Sequence, residues 1–219
     1  MKLHLIWDMD GTLVNSEPEI LATIHRALAT LGLSLSDACR PIRVGPPLPF
    51  MLREAFDVET LGDDGIQEVI KSFRQIYDAS EFEETKPYEG IDEIIRCDDF
   101  VHHVITNKPD YATRRIIEKK GWTSFIADVF SPNTLMNEMG RQMKKLELFQ
   151  YFRNNNPNLK VAGIGDMAGD AECAKAVGFL TIGVLWGTGT KVELQQSGCD
   201  AIASNSIELR NILSYYNGH

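Results

Sequence analysis

The sequence lacks several features that would place it in a common class of protein. It carries 22 basic against 31 acidic residues and no Lys/Arg run longer than a pair, so it does not predict the basic face of a nucleic-acid binder. It also has no C-x-x-C pair and no histidine-rich neighbourhood around a cysteine. We therefore expect no nucleic-acid partner, and four reduced cysteines packed in the core: Cys39, Cys97, Cys173 and Cys199.

The start of the chain has no long apolar run. MKLHLIWDMDG is apolar for only a few residues before two carboxylates, which is too short for a signal peptide or a membrane span. We therefore expect a cytoplasmic protein without a membrane partner. The 219 residues are 43% apolar and 24% charged, as in a soluble protein with one large core, or a core and a small second module.

The first part of the chain predicts one strand followed by helices. Leu3 to Trp7 is a short apolar run that predicts a buried strand. The S-x-x-E pattern of residues 16–19 predicts a helix start, and apolar residues recur at helical spacing as far as Gly32. Phe50 to Phe56 and Ile66 to Tyr77 are further predicted helices, so no clear strand lies between the first one and about residue 86.

After Pro87, apolar runs alternate with helical segments. The runs are Val101 to Ile105, Val161 to Ile164 and Leu180 to Leu185. Strands that alternate with helices predict a parallel sheet with helices on both faces. We therefore predict a doubly wound α/β fold with a Rossmann-type core of residues 1–14 and 87–219, and an inserted α-helical domain of residues 15–86.

Polar residues follow three of the predicted strands, where ligands bind in such sheets. Asp8-Met9-Asp10-Gly11-Thr12 ends the first strand, Thr106-Asn107-Lys108 follows the second, and Gly165 to Asp170 follows the third. The fold would bring all three segments to one edge of the sheet.

Four carboxylates in these segments predict phosphoryl-transfer chemistry. Of Asp8 and Asp10, one can attack phosphorus while the other handles the proton of the leaving group. Asp166 and Asp170 add two charges that repel the first pair unless a cation lies among them, and oxygen ligands of this kind suit Mg²⁺. Hydroxyl and amide groups of residues 106–107, with the backbone N–H groups after Asp8, can bind phosphate oxygens.

Each segment also has a structural interpretation without chemistry. D-x-D-G is common in turns, T-N-K before proline is typical of a turn, and acids in the first turn of a helix are favourable there. An EF-hand is excluded, because neither acidic stretch has the twelve-residue ligand spacing and the closing glutamate. All three segments at strand ends, in this order, favour a site.

The motifs resemble those of the haloacid dehalogenase-like phosphatases. Asp8-Met9-Asp10-Gly11-Thr12-Leu13 is similar to their first motif, Ile105 to Lys108 to their second, and Gly165 to Asp170 to their fourth. The helical insert matches the position of their cap domain, so the likeness spans almost the whole chain. Gly45 to Leu48 resembles a cap turn of the phosphoglycolate phosphatase-like branch.

The resemblance implies a Mg²⁺-dependent hydrolysis of a small phosphorylated metabolite. It makes Asp8 the nucleophile that is phosphorylated, and Asp10 the acid and base. Asp170 ligates the metal through water or orients the lysine of the third motif. The implied metal-binding residues are Asp8, Asp10 through its backbone carbonyl, Asp166 and Asp170. The implied phosphate-binding residues are Met9, Asp10, Thr106, Asn107 and the third-motif lysine.

The third motif is the one that departs from the family pattern. The family has a lysine, often before a proline, near a helix start, whereas here Lys144 and Lys145 are both candidates without a proline. At about 100° per residue, residues 148, 149 and 152 form one buried stripe, and Lys145 falls near its centre. Lys145 also has the family's K-x-E spacing to Glu147, so the pattern favours Lys145 as the catalytic lysine.

Other polar and aromatic residues are expected outside the site. His102 and His103 are predicted to lie on the surface or the rim of the sheet. His25, on the first helix of the insert, is predicted to be solvated. The aromatic residues Phe149, Tyr151 and Phe152 are expected to pack rather than to bind a ligand.

Three other functions are compatible with parts of this pattern. A phosphomutase shares the four motifs but returns the phosphoryl group to a sugar. A dehalogenase lacks the second aspartate of the first motif, so Asp10 argues against it. A signalling receiver domain has its acceptor aspartate on a middle strand, whereas here the motif follows the first strand and precedes a sizeable insert.

The substrate is not named by these motifs, because the insert would choose the leaving group. Phosphoglycolate, a nucleoside monophosphate, a sugar phosphate and pyrophosphate all fit. Glu17 and Arg43 are candidate selecting residues, with solvent-exposed charge as the alternative. The sequence carries no signal of oligomeric state.

Overall fold

The computed structural model describes residues 2–136 and 140–218, which alternate between strands and helices. The strands are Leu3–Trp7 (β1), Val14–Asn15 (β2), Lys86–Pro87 (β3), Phe100–Ile105 (β4), Ile126–Phe130 (β5), Val161–Gly165 (β6), Leu180–Val184 (β7) and Ala201–Ala203 (β8). The α-helices are Glu17–Ala29 (α1), Leu48–Ala55 (α2), Asp63–Asp78 (α3), Ile91–Ile95 (α4), Asp110–Lys119 (α5), Lys145–Asn155 (α6), Ala168–Ala176 (α7), Lys191–Gln196 (α8) and Ser206–Gly218 (α9). A short 3₁₀ helix spans Leu35–Asp37.

The chain divides into two compact units. The core unit comprises Met1–Asn15 and Lys86–His219, and the inserted unit comprises Ser16–Thr85. The core unit holds the strands and the helices from α4 onward, whereas the inserted unit holds α1, α2 and α3.

The core unit is built on a six-stranded parallel sheet in the order β5-β4-β1-β6-β7-β8. Leu5, Ile6 and Trp7 alternate between the two faces of β1 and are all fully buried, so both faces of the sheet are covered. One face packs on a cluster that includes Ile6 and Phe149. The predicted doubly wound α/β fold is confirmed.

The strand order brings the three motif-bearing strands side by side. β1 pairs with β4 on one side, where Trp7 lies opposite Val104, and with β6 on the other, where Trp7 lies opposite Ile164. The chain therefore leaves β1 in one direction and returns to its other side, which makes β1 the switch point where open α/β sheets bind ligands. The segments after β1, β4 and β6 lie at this edge.

The inserted unit is a small helical layer in which α1 and α3 pack together. Ile24 and Leu28 of α1 and Val69 of α3 are buried at helical spacing. The predicted helix start is confirmed, with Ser16 at the N-cap of α1, but the Ser16 side chain makes no cap bond. Glu19 instead accepts a hydrogen bond of 3.0 Å from the backbone N–H of Glu84, which ties the two ends of the unit together.

Two expectations about polar side chains in the core unit are wrong. His102 and His103 are buried rather than on the rim, because they lie within β4, an inner strand with neighbours on both sides. His103 Nδ1 lies 2.9 Å from a carboxylate oxygen of Asp128, and its Nε2 lies 2.9 Å from Nδ1 of His4. Buried imidazoles of this kind need such partners.

The cysteines are free thiols, and Cys173 packs against the core cluster, but none of the four is fully buried as expected. Cys39 is exposed, and its Sγ donates to a carboxylate oxygen of Asp57 at 2.8 Å. Cys97, Cys173 and Cys199 are each partly exposed. The expected exposure of His25 and the expected packing of Phe149 and Phe152 are confirmed; Tyr151 also packs against that cluster.

None of the helices in the described ranges combines the length and the apolar character that crossing a membrane requires.

The buried His102 predicts a loss of stability on acidification. Trp7 Nε1 donates to His102 Nδ1 at 3.1 Å, and burial lowers the pKa of His102 to about 4. A histidine in the unfolded chain has a pKa near 6.5. Between about pH 6.5 and 4, His102 therefore binds a proton in the unfolded chain but not in the folded one. This one group should cost about 3 kcal/mol of stability across that range.

The measurement is urea unfolding at several pH values for the wild type and for His102→Asn. The asparagine oxygen can still accept the hydrogen bond from Trp7, but the side chain does not titrate. We expect the variant to lose less stability than the wild type between neutral pH and about pH 4, by about 3 kcal/mol. Parallel stability curves for the two proteins would contradict the assignment.

Candidate functional site

Three carboxylates meet at the switch point of the sheet. Asp8 follows β1, Asp166 follows β6, and Asp170 lies in the first turn of α7. One carboxylate oxygen from each lies within 4.8 Å of the others. Asp166 is fully buried and Asp170 is 8% exposed, so water screens their charges weakly.

Asp170 is held by the start of its own helix. One of its oxygens accepts a hydrogen bond of 3.0 Å from the backbone N–H of Met167, which caps α7. Its side chain lies against Gly165, the last residue of β6, where a Cβ atom would collide with it. The glycine thus lets the acid approach the strand end and reach the site.

Asp166 is fixed by two threonines from other loops. Thr12 Oγ1 donates to one carboxylate oxygen at 3.1 Å, and the other accepts from the N–H and the hydroxyl of Thr188 at 2.8 and 3.0 Å. Gly11, at φ +83°, packs directly on this carboxylate, and a Cβ atom there would collide with it. Three hydrogen bonds leave Asp166 with one orientation.

Lys145 bridges two of the carboxylates. Its ammonium lies 2.5 Å from Oδ1 of Asp8 and 2.5 Å from Oδ1 of Asp170, and the residue is 8% exposed. Lys144, by contrast, is exposed and precedes the helix with an extended backbone.

The start of α6 explains which lysine reaches the site. Glu147 accepts a hydrogen bond of 2.8 Å from the N–H of Lys144, so the helix begins at Lys145. Leu148 and Phe149 are buried in the core on the same side of the helix. This stripe orients α6, and Lys145 at its leading end points towards Asp8.

Burial and mutual repulsion perturb these groups. Burial is the main cause that raises the pKa of Asp8 to about 7; Lys145 opposes it, while Asp170 and Asp166 add to it. Burial also raises the pKa of Asp166. For Lys145 burial acts in the opposite direction, but the attraction of Asp170 and Asp8 outweighs it and leaves the pKa of the lysine raised.

The donor set fits a small divalent cation. Three ionised carboxylates and the ammonium of Lys145 leave two net negative charges, which a doubly charged ion would neutralise. Carboxylate oxygens are the hard ligands that Mg²⁺ prefers. Asp8, Asp166 and Asp170 of the predicted metal site are thus together, and the remaining member, Asp10, is two residues from Asp8.

The Asp10 side chain points to a second lysine. Lys108 Nζ lies 2.9 and 3.0 Å from the two oxygens of Asp10, and Lys108 is buried while Asp10 is partly exposed. The two predicted catalytic carboxylates therefore have different cationic partners, Lys145 for Asp8 and Lys108 for Asp10.

The residues predicted to bind phosphate lie at the same edge. Thr106 is buried, and its hydroxyl oxygen accepts a hydrogen bond of 3.1 Å from the N–H of Lys108, which leaves the hydroxyl proton available to a ligand. Asn107 is exposed directly after it. The Met9 side chain is fully buried, so its contribution to a ligand would come from its backbone.

The two candidate selecting residues belong to the inserted unit. Glu17 is the first residue of α1, and Arg43 lies in the loop before α2. Both are exposed within that unit.

Sequence reasoning missed three side chains of the site. Lys108 belongs to the second motif, but the motif does not indicate that its ammonium turns back to Asp10. The sequence does not mark Thr12 and Thr188 as site residues, because a threonine that orients a carboxylate carries no charge or spacing signal. The glycines on either side of Thr188 mark a tight loop after β7, which was the available sign.

The sequence matches a protein-family model and several curated relatives. The family model described as haloacid dehalogenase-like hydrolase matches residues 5–184. A phosphoglycolate phosphatase of Xylella fastidiosa (strain Temecula1) is 29% identical over 191 residues, covering 84% of this chain and 80% of the relative. A 5'-nucleotidase of Pseudomonas aeruginosa is 25% identical over 219 residues, covering 96% of this chain and 95% of the relative.

A solved structure has the same architecture. The crystal structure of a predicted phosphatase from Clostridium acetobutylicum superimposes with a TM-score of 0.75 at 25% identity, covering 98% of this chain and 99% of that one.

Proposed function

Because the chain belongs to the haloacid dehalogenase-like hydrolase family, we propose that it is a phosphatase that hydrolyses small phosphomonoesters through a phosphorylated Asp8. One observation carries this proposal. The Asp8 carboxylate, at the end of the central strand, shares Lys145 with Asp170 and lies beside Asp166. A buried carboxylate that is hydrogen-bonded to an ammonium and has further acids around it is suited to attack phosphorus rather than to support the fold.

In this mechanism two carboxylates divide the work. An oxygen of Asp8 attacks the phosphorus, the bond to the ester oxygen breaks, and Asp10 gives its proton to that oxygen. Water then attacks the phosphorus of the aspartyl-phosphate while Asp10 takes a proton from it. The bond to Asp8 breaks and inorganic phosphate leaves.

The neighbouring residues bind and orient the reacting groups. Thr106, Asn107 and the backbone N–H groups of Met9 and Asp10 donate to the phosphate oxygens. The ammonium of Lys145 bridges Asp8 and Asp170, offsets the repulsion between them, and stabilises negative charge on the transferring group.

Asp8, Asp166 and Asp170, with the backbone carbonyl of Asp10, would hold Mg²⁺. When bound, the ion supplies charge neutralisation for the phosphoryl group and for the crowded carboxylates. The three hydrogen bonds that Asp166 accepts support this role, since metal-ligating carboxylates are commonly oriented by such partners.

The names of the relatives favour phosphoglycolate as the substrate. Several curated relatives are named phosphoglycolate phosphatase, whereas one is named 5'-nucleotidase. We assign the chemistry to residues 1–14 and 87–219 and the role of a substrate-selecting cap to residues 15–86. Glu17 and Arg43 are the candidate substrate-selecting residues of this cap.

Phosphate release should require Mg²⁺, and Ca²⁺ should inhibit it. Mg²⁺ prefers a compact octahedron, whereas Ca²⁺ accepts more ligands and bidentate carboxylates, which would occupy both oxygens of Asp8. The measurement is inorganic phosphate released from phosphoglycolate and p-nitrophenyl phosphate after chelation, after restoring Mg²⁺, and with added Ca²⁺. Full turnover after exhaustive chelation would refute the metal assignment.

A further inference from the structure

The T-N-K segment after β4 holds a lysine that the proposed mechanism does not use. The Lys108 side chain is only 4% exposed, and its ammonium contacts both oxygens of Asp10. Burying an ammonium carries a desolvation penalty, so a buried lysine is expected to have an anionic partner and often a functional role. Lys145 already accompanies Asp8 and Asp170, so Lys108 serves a different part of the site.

The position of Asp10 indicates which group of a bound substrate would lie closest to the Lys108 ammonium. In the proposed mechanism Asp10 passes a proton to the ester oxygen, which requires the two groups to be ~2.6–3.2 Å apart. The Lys108 ammonium, bound to the same carboxylate, is then at most about 6 Å from the ester oxygen. It therefore lies beside the leaving group and not beside the attacking oxygen of Asp8.

We propose that Lys108 is a specificity-determining residue that selects phosphomonoesters with an anionic group next to the ester oxygen, such as the carboxylate of phosphoglycolate. The inference rests on the proposed function and deepens it. When such a substrate enters, the ammonium donates an N–H to the substrate's carboxylate while it stays close to Asp10. The carboxylate of phosphoglycolate is separated from the ester oxygen by one methylene group, which fits this distance.

The positive charge of Lys108 explains why its contact with the substrate would distinguish a carboxylate from a hydroxyl group. A leaving group with a hydroxyl in place of the carboxylate gains only a neutral hydrogen bond, whereas a carboxylate gains a charge-assisted one in a weakly screened site. Without Lys108, the substrate's carboxylate would lose this charge-assisted hydrogen bond and would lie beside the carboxyl group of Asp10 without a compensating positive charge. The core unit would then contribute to the choice of substrate through Lys108.

The test compares two substrates that differ at one group, 2-phosphoglycolate and 2-hydroxyethyl phosphate. We expect the wild type to prefer phosphoglycolate in kcat/KM, and Lys108→Met to reduce the ratio of the two kcat/KM values at least about 30-fold. Lys108→Arg, which keeps the charge, should retain part of the preference. Lys119→Met, an exposed lysine at the far end of α5, should leave the ratio unchanged.

The ratio separates substrate selection from a structural role. A lysine that only supports the loop or orients Asp10 would lower both kcat/KM values by the same factor, and that result would overturn the proposal. So would a wild type that hydrolyses both esters equally well, although the phosphatase assignment would stand because phosphate is released. Absence of phosphate release from either ester with Mg²⁺ would instead refute the proposed function. Circular dichroism checks folding, and Lys108→Gln replaces the methionine variant if that variant does not fold.

Discussion

Asp8→Asn should lower the turnover of every phosphomonoester by at least ~10⁴-fold and leave the fold intact. The substitution removes the attacking oxygen and one charge from the metal site while it hardly changes the volume. Asp10→Asn removes the acid and base but not the nucleophile, so its loss should be smaller, ~10²–10⁴-fold. Asp98→Asn, the same change at an exposed position before β4, serves as the control.

Two readouts test the Asp8 variant beyond activity. Rapidly quenched wild-type protein should carry the mass of one phosphoryl group on the peptide that contains Asp8, and the variant should not. Near-normal turnover by purified Asp8→Asn protein would end the proposed mechanism.

The metal-free variant should also be more stable than the wild type at about pH 8. The pKa of Asp8 is raised to about 7, above its unfolded value, so the folded chain loses stability as the pH rises from about 4 to 7 and this carboxyl ionises. Asparagine does not ionise there. We expect an increase in the free energy of unfolding on the order of 1–3 kcal/mol without metal, and Mg²⁺ should narrow the difference because it stabilises the wild type. Lower stability of the variant under these conditions would show that ionisation of Asp8 does not destabilise the metal-free folded protein.

The architecture of the core could be predicted because its signals are local and repeated. Short apolar runs such as Val161 to Ile164 alternate with helical segments, and that alternation permits few arrangements besides a parallel sheet. The prediction that the segments after β1, β4 and β6 share one edge follows from a parallel sheet, whose strands all end at the same edge. That these three strands are neighbours is shown by the structure. The family resemblance based on three motifs is confirmed by the family match.

The errors arise where the environment of a residue depends on distant parts of the chain. His102 and His103 are polar residues in a short apolar run, and only the pairing of β4 between β1 and β5 buries them. The S-x-x-E pattern marks the start of α1 correctly, but the side-chain capping bonds do not form, and Glu19 instead binds the distant backbone of residue 84. Local pattern rules do not include such long-range partners.

The candidate site was predictable in composition but not in its pairings. The strand ends account for Asp8, Asp10 and Asp166, whereas the separate lysine partners of Asp8 and Asp10 depend on side-chain directions that no motif encodes. Helical phase was sufficient to favour Lys145 over Lys144. The role of each residue in turnover stays a prediction.

Lys145→Ala should reduce kcat by ~10²–10³-fold, whereas Lys144→Ala should leave it near the wild-type value. The first change removes the ammonium that contacts Asp8 and Asp170, and the second removes an exposed side chain one residue earlier. The two variants are matched in chemistry and nearly in sequence position, so their difference reports the helical phase of α6. Equal losses in both, or a larger loss for Lys144→Ala, would contradict the assignment.

Loss of the ammonium has a second consequence that a folding defect does not reproduce. Without Lys145 the three clustered carboxylates carry three net negative charges instead of two, so a divalent cation should bind at least as tightly although turnover falls. Breaking a buried pair also destabilises by ~3–5 kcal/mol, and the added ion should restore part of that stability. Calorimetric titration with Mg²⁺ and thermal unfolding with and without Mg²⁺ measure both effects, with Lys145→Met as the alternative if the alanine variant does not fold. Weaker Mg²⁺ binding by a folded variant, together with lost turnover, would mean that Lys145 orients the carboxylates for the metal and would overturn its assignment to the transferring phosphoryl group.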